Sequence, residues 1–130
     1  MNAGEASSAT LWMRAGSGLE MLTGLGLIVA PSLLARLLFG SDLNAAGEAT
    51  GRIAGLVILC LAAGCWPRAA GEAHALAPLV ALSWLAAAFL VVTGLIGASV
   101  GILLWPAAAL HLILAVLLTR AWMESRRSAG

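Results

Sequence analysis

The sequence predicts an all-α membrane protein, a bundle of four transmembrane helices, from three observations. Hydrophobic residues make up 62% of the chain of 130 residues, charged residues make up only 10%, and the mean hydropathy is +1.00. A soluble domain of this length could not hide so much apolar surface, because chain size limits the fraction of surface that folding buries. The apolar residues also occur in runs long enough to cross a bilayer as helices.

The runs divide into four predicted spans within a single domain that covers the chain, at about residues 11–39, 49–66, 76–99 and 101–122. Pro31 lies in the outer half of the first span and is expected to kink it. The second span stops at Pro67. The third and fourth spans share an apolar run too long for one crossing, which divides at the glycine-rich segment 97–101. Residues 40–48 are predicted to form the longest loop, and residues 123–130 a short tail.

The N-terminal segment does not read as a secretory signal. The first ten residues are polar and carry no basic residue, and Glu20 interrupts the apolar run that follows. We therefore interpret the first span as an uncleaved transmembrane helix.

The distribution of arginine predicts the orientation. All seven basic residues are Arg, and five of them fall on the side of the membrane that both termini share, at positions 14, 68, 120, 126 and 127. Two fall on the other side, Arg36 and Arg52. Because cytoplasmic loops carry the excess of positive charge, both termini are expected in the cytoplasm, for a protein of the bacterial inner membrane. The interface anchors predicted from the tryptophans agree: Trp12, Trp66 and Trp122 inside, and Trp105 outside.

One carboxylate, Glu20, lies well inside the first span. An ionisable group at membrane depth is costly, so it usually faces the interior of a bundle and a partner there. The positions three and four residues away share its helix face and are small or hydroxylic, namely Gly16, Ser17, Thr23 and Gly24. Such residues allow neighbouring helices to approach closely. The sequence therefore predicts that Glu20 points into the bundle.

His111 is the predicted partner, since the two residues match in depth. Glu20 lies about 12 Å above the inner interface at Trp12, and His111 lies about 13 Å above the same interface at Arg120. We predict a buried cluster of Glu20, His111, Thr23 and Ser83, with Trp84 at its edge. Two interpretations stay open: the Glu–His pair ties the first helix to the fourth, or it binds a proton, a quinone head group or another ligand.

The other polar and glycine positions have structural interpretations as well. Arg36 and Arg52 are expected either to reach lipid head groups or to form salt bridges with Asp42 and Glu48. Gly47, Gly51 and Gly55 form a GxxxGxxxG pattern, which predicts a close helix-packing face, within the bundle or between subunits.

Several kinds of chemistry have no sequence signal. No phosphate-binding, dinucleotide-binding, metalloprotease or CxxC motif is present, and no metal site is predicted. Cys60 and Cys65 are about 140° apart on a helix, so they are interpreted as small apolar fillers. A net charge of +1 gives no basic field for nucleic acid. No cofactor is identified, although a quinone would fit the Glu–His pair, and we predict a protein that is not an enzyme.

The chain resembles the small bacterial DoxX-like four-helix membrane proteins. The residues that carry the resemblance are Gly24, Gly26 and Pro31, the RLLFG segment at 36–40, GRIAGL at 51–56 and CWP at 65–67. The resemblance implies a four-helix bundle near quinone or thiol redox chemistry, as an accessory subunit of a membrane oxidoreductase. Glu20 and Trp84 also fit the outline of small multidrug transporters, which have a Glu in the first helix and a Trp in the third.

Three functions are consistent with the sequence alone. The first is a non-catalytic accessory or binding subunit that holds a quinone, a lipid or another small hydrophobic ligand, with membrane lipids, a partner membrane subunit or further copies of itself as partners. The second is a proton-coupled small-molecule transporter that uses Glu20. The third is a membrane subunit of an oxidoreductase. We expect the first.

Overall fold

The computed structural model describes residues 3–67, 76–97 and 100–127, with side chains from residue 8 onward. These residues form an all-α protein, and no strand occurs among them. The helices are α1 (Ala3–Val29), α2 (Pro31–Phe39), α3 (Ala45–Gly64), α4 (Leu76–Ile96) and α5 (Leu104–Arg127). Arg68, one of the arginines behind the predicted orientation, lies outside the described residues, as does Ser99, the predicted end of the third span.

Three helices, α3, α4 and α5, are long and apolar enough to cross a membrane. The first predicted span meets the same requirement only as a pair of helices, α1 and α2, which are bent by 114° at the residue between them. The expectation of one kinked helix over residues 11–39 is therefore corrected: the chain breaks at Ala30 and turns back.

Pro31 accounts for the position of the break. Proline lacks the N–H that a helix interior needs, and its ring clashes with the carbonyl four residues earlier, but its fixed φ suits the first position of a new helix. Ala30 accordingly leaves the helical region, with φ −141° and ψ 63°, and α2 begins at Pro31. Leu34 then folds over Gly26 of α1, where a Cβ would lie 2.6 Å from its Cδ1 atom. A side chain at position 26 would therefore require the end of the Leu34 side chain to shift.

The other helix ends differ from the predicted ones by a few residues. Helix α3 begins at Ala45 and not near residue 49, because the Asn44 side chain accepts a hydrogen bond of 2.8 Å from the Gly47 N–H and caps the helix. The loop before it is therefore shorter than predicted. Helix α5 begins at Leu104 and continues to Arg127, through most of what was predicted as the tail.

The long helices pack as two pairs, α1 with α3 and α4 with α5, and α1 joins the pairs by packing on α5. The α1–α3 crossing is close at Gly24 and Gly55. A Cβ on Gly24 would lie 2.8 Å from the Gly55 carbonyl oxygen, and a Cβ on Gly55 would lie 2.7 Å from the Gly24 carbonyl oxygen. The two backbones therefore touch, which is how small residues serve helix packing in membranes.

On the side of the chain termini, α1, α4 and α5 close into a packed core, with Cys65 at the end of α3 beside them. We call this region the closed half; its buried residues are Met13, Cys65, Leu76, Leu79, Leu114, Leu118 and Ala121. Leu118 is fully buried, and Gly16 of α1 faces it. Glu20 lies one turn from Gly16 on α1, and His111 lies two turns from Leu118 on α5, where this core ends.

Candidate functional site

Glu20 of α1 and His111 of α5 meet across the helix pair, with 3.6 Å between Glu20 Oε1 and His111 Nε2. Both residues are buried: Glu20 is 4% exposed and His111 is 8% exposed. On α1, the close neighbours of Glu20 on its own face are Gly16 and Ser17, which are also buried. The carboxylate and the imidazole therefore face each other inside the protein and not outward.

The hydrogen bonds of His111 define its tautomer. Its Nδ1 lies 2.9 Å from the carbonyl oxygen of Ala107, and a carbonyl can only accept, so Nδ1 carries a proton and donates it. The second ring nitrogen, Nε2, is the one that faces Glu20. A carboxylate facing a bare Nε2 lone pair would leave a buried charge without a partner, which is costly. One proton between Nε2 and the carboxyl group would remove that cost.

Glu20 Oε1 nevertheless has no hydrogen-bond partner, since 3.6 Å is longer than a hydrogen bond. Ser17 Oγ, one turn earlier on α1, is buried without a partner as well. Buried polar atoms in proteins are almost always paired, so an unpaired carboxyl oxygen calls for an explanation.

A cavity of about 510 Å³ opens beside the pair, on the side away from the closed half. Helices α1, α2, α4 and α5 supply most of its wall, and Ile58 is the contribution of α3. Its polar residues are Glu20, Thr23 and His111. The apolar residues are Leu19, Leu27, Leu34, Leu38, Phe39, Ile58, Leu82, Ala86, Phe89, Leu90, Leu103, Pro106, Ala107 and Leu110. We call this region the open half. Apolar walls with a few converging polar groups are typical of small-molecule sites.

Helix α2 covers the far end of the open half and is held there by backbone hydrogen bonds. The Gly101 N–H donates to the Leu38 carbonyl, and the Leu103 N–H donates to the Leu37 carbonyl, each at 2.9 Å. The turn between α4 and α5 thus satisfies carbonyls at the end of α2 that no helical N–H can reach. Gly40, at φ 69°, ends α2 in the left-handed conformation. The ring of Phe39 meets that of Phe89 edge to face, with centroids 6.2 Å apart.

The structure brings three of the five predicted cluster residues to the cavity: Glu20, His111 and Thr23. The Thr23 hydroxyl donates to the Leu19 carbonyl at 3.0 Å. Ser83 is buried but does not line the cavity. Trp84 is 44% exposed, and its indole N–H donates to the Thr119 hydroxyl at 3.1 Å, two turns along α5 from His111. The place of Ser83 and Trp84 in a cluster with Glu20 and His111 therefore stays a prediction, because depth along a helix does not determine which face a residue occupies.

The polar groups near the α2–α3 loop pair with one another. The Arg36 guanidinium lies 2.7 Å from Asp42, and that of Arg52 lies 3.3 Å from Glu48. The second oxygen of Glu48 accepts a hydrogen bond of 2.7 Å from Ser32. Of the two interpretations of Arg36 and Arg52, the structure therefore contains the salt bridges.

The three glycines of the GxxxGxxxG pattern have different neighbours. Gly55 meets Gly24, and Gly51 faces Pro31, whose Cβ would lie 3.0 Å from an added Cβ. Gly47 faces Asn44 and Leu43 just before its own helix, so it serves the N-terminal turn of α3 and not a helix crossing.

The predicted interface anchors remain at or near the protein surface. Trp66 and Trp105 are exposed, whereas Trp12 and Trp122 are half-buried. The Arg126 guanidinium lies 4.6 Å from the centroid of the Trp122 ring, in a cation–π contact.

No cluster of three or more His, Cys, Asp or Glu side chains that could hold a metal ion occurs among the described residues. Cys60 is exposed and Cys65 is buried in the closed half, both as free thiols. The chain matches no family model, no curated protein and no solved structure.

Sequence reasoning missed the apolar part of the site. Leu34, Leu38 and Phe39 reach the cavity only because α2 turns back, and Phe89 reaches it from the opposite side. Pro31 was the available signal for the turn, but proline alone does not tell a kink from a break.

Proposed function

We propose that the protein is a four-span protein of the bacterial inner membrane, with both termini in the cytoplasm, that binds a small hydrophobic ligand between its helices. Helices α3, α4 and α5 are three of the spans, and α1 with α2, which meets the length and hydropathy requirement only as a bent pair, is the fourth. Helix α2, bent by 114°, then lies across the outer end of the bundle. The arginine and tryptophan distributions support this orientation.

The observation that carries the proposal is that Glu20, a buried residue with one carboxyl oxygen unpaired, lines a large apolar cavity. A volume of about 510 Å³ suits a drug-sized molecule. Apolar walls attract a hydrophobic body, and the Glu20–His111 pair supplies one hydrogen-bonding point that orients it. A quinone in its reduced, hydroxyl-bearing form has this combination of parts, as does a lipid with a hydroxyl head.

The ligand-binding role fits an accessory subunit better than an enzyme. The open half offers a place to hold a molecule, and the Thr23 hydroxyl is bonded to the Leu19 carbonyl of its own helix. The DoxX-like resemblance supports the same role, as a membrane subunit beside an oxidoreductase or as a homo-oligomer.

The test is binding of decylubiquinol, the reduced quinone with two ring hydroxyls, to the purified protein in lipid nanodiscs. We expect saturable binding that exceeds uptake by empty nanodiscs, and a loss of about tenfold in affinity for Glu20→Met, since this change removes the carboxyl group that pairs with a quinol hydroxyl. Thr119→Val is the matched control, because it removes a polar tie on α5 that lies outside the cavity. Decylubiquinol uptake equal to that of empty nanodiscs would contradict binding of a reduced quinone here.

A second candidate is the proton-coupled transporter, which the buried carboxyl group facing an imidazole favours, because such a pair can bind and release a proton. Reconstituted protein would then move a cationic dye such as ethidium when a pH gradient is applied, and Glu20→Gln would abolish the movement. Normal transport by that variant would exclude Glu20 as the coupling group.

A further inference from the structure

The Glu20–His111 pair sets a requirement on the head group of whatever enters the cavity. This requirement rests on the proposed function and specifies the chemical class of the ligand. Because His111 donates through Nδ1 to Ala107, the atoms left to meet a ligand are Nε2 and the Glu20 carboxyl oxygens. Nε2 and Oε1 are 3.6 Å apart, Oε1 is itself buried, and both residues line the cavity.

One proton on the pair can lie in two places. If His111 holds it, Nε2–H is a donor and the Glu20 carboxylate is an acceptor. If Glu20 holds it, the carboxyl O–H is a donor and Nε2 is an acceptor. In each case, the cavity presents one donor and one acceptor side by side.

A hydroxyl group of a ligand can pair with both the donor and the acceptor of the protein through its single oxygen atom. Its oxygen, at an ordinary distance of about 2.8 Å from each partner, accepts one hydrogen bond and donates the other. This holds for both positions of the proton. A ketone or an ether oxygen only accepts, so it would leave a buried acceptor of the protein unpaired, at a cost in affinity. An anionic head group would meet the Glu20 carboxylate or force a second proton onto the pair.

The rest of the cavity describes the body of the ligand. From the pair, the wall continues outward along Leu27 of α1 and Pro106 of α5 to Leu38 of α2, and all of these side chains are apolar. Phe89, at 61% exposed, lies on the rim, so the cavity opens at the side of the protein. We infer that the site takes a neutral amphiphile with a hydroxyl head, such as an alkylphenol or a long-chain alcohol, seated with the hydroxyl between Glu20 and His111.

The test compares two probes that differ only in the donor, 4-nonylphenol and its methyl ether, 4-nonylanisole. Binding is the amount of probe retained by protein-loaded nanodiscs beyond that retained by empty nanodiscs of the same lipid. We expect wild-type protein to bind the phenol at least about tenfold more tightly than the ether, because the phenol alone pairs both protein groups.

The decisive variant is Glu20→Met combined with His111→Leu. Replacing both members of a buried polar pair with apolar groups of similar size is often neutral for folding, so the cavity should persist. We expect this double variant to keep its affinity for 4-nonylanisole and to lose the preference for the phenol. Thr119→Val, outside the cavity, should retain the preference.

The outcomes separate the two claims. If neither probe binds more than to empty nanodiscs, the proposed ligand-binding function fails and the head-group inference fails with it. If both probes bind wild-type protein equally, a water molecule bridges the pair, and the hydroxyl requirement is wrong while the binding function stands. If the double variant still prefers the phenol, the hydroxyl is recognised elsewhere and the inference is overturned.

Discussion

The closed half and the open half are built by the same helices on the two sides of the Glu20–His111 pair, yet one is filled and the other is hollow. In the closed half, Gly16 of α1 lies against Leu118 of α5, so the two helices approach. In the open half, the small residue of α1 is Gly24, and it packs against α3. Leu27 and Thr23 of α1 then front a cavity of about 510 Å³. The position of the cavity therefore depends on which neighbouring helix each small residue of α1 contacts.

The first prediction concerns the packing of the closed half. Leu118→Ala should lower the free energy of unfolding by about 2 kcal/mol or more, because Leu118 is fully buried and its loss leaves a void. In a bilayer, this cost comes from lost packing contacts and not from transfer out of water. Reversible unfolding in mixed micelles measures it.

Leu82→Ala, at the edge of the cavity, is the matched change in the open half. We expect it to cost less than about 1 kcal/mol, because Leu82 is only half-buried and already borders empty space. Equal losses of stability for the two variants would show that the halves do not differ in packing.

The second prediction adds volume. Ala115→Leu should destabilise the protein by about 1–3 kcal/mol, since Ala115 is fully buried in packed surroundings. Ala86→Leu should leave stability unchanged or raise it slightly, because Ala86 borders the cavity. The same variant should weaken binding of 4-nonylphenol, as the new side chain occupies ligand space.

Calorimetry of unfolding and the nanodisc binding measurement test these two variants together. If Ala86→Leu were as destabilising as Ala115→Leu, the open half would be as tightly packed as the closed half.

The extent to which the sequence predicted this arrangement differs between the two halves. The meeting of Glu20 with His111 followed from their matched depth in antiparallel helices. The open half did not follow, because it depends on a turn at Pro31 that is completed by distant groups, the N–H groups of Gly101 and Leu103. The local sequence of residues 31–39 does not indicate that these N–H groups will be its partners.

Trp84 illustrates a second limit of the sequence. Its depth matched the cluster, but its indole bonds to Thr119 on the partially exposed face of the α4–α5 pair. The residues of α4 around Trp84 are mostly apolar, so the sequence periodicity did not indicate which way the Trp84 side chain points. The bounds of α3 could have been predicted better, because Asn44 followed three residues later by Gly47 is a readable capping position.

The third prediction concerns the cover of the open half and has a smaller expected effect. Gly40→Ala should cost about 1 kcal/mol, because alanine resists the left-handed conformation that Gly40 adopts at φ 69°. Since the change loosens the end of α2 and not the pair, we expect faster release of 4-nonylphenol. Stopped-flow dilution of loaded nanodiscs would measure the rate, and unchanged release would mean that α2 does not control the exit.

The fourth and smallest effect is expected at the surface. Asp42→Asn removes the partner of Arg36 in a salt bridge whose side chains are 63% and 59% exposed. Exposed ion pairs contribute roughly 0–1 kcal/mol, so stability should change little and binding should not change. A loss of binding in this variant would indicate that the α2–α3 loop shapes the cavity.

The most direct test of the central claim is cross-linking of the pair in native membranes. With Cys60 and Cys65 replaced by Ala, Glu20→Cys and His111→Cys would be combined in one chain and treated with a two-carbon bis-methanethiosulfonate. Leu22→Cys with Ile113→Cys, at positions 70% and 57% exposed, is the control pair. We predict a high yield of intramolecular cross-link for the first pair and little for the second. Equal yields, or a higher yield for the control, would contradict the meeting of Glu20 with His111 inside the protein.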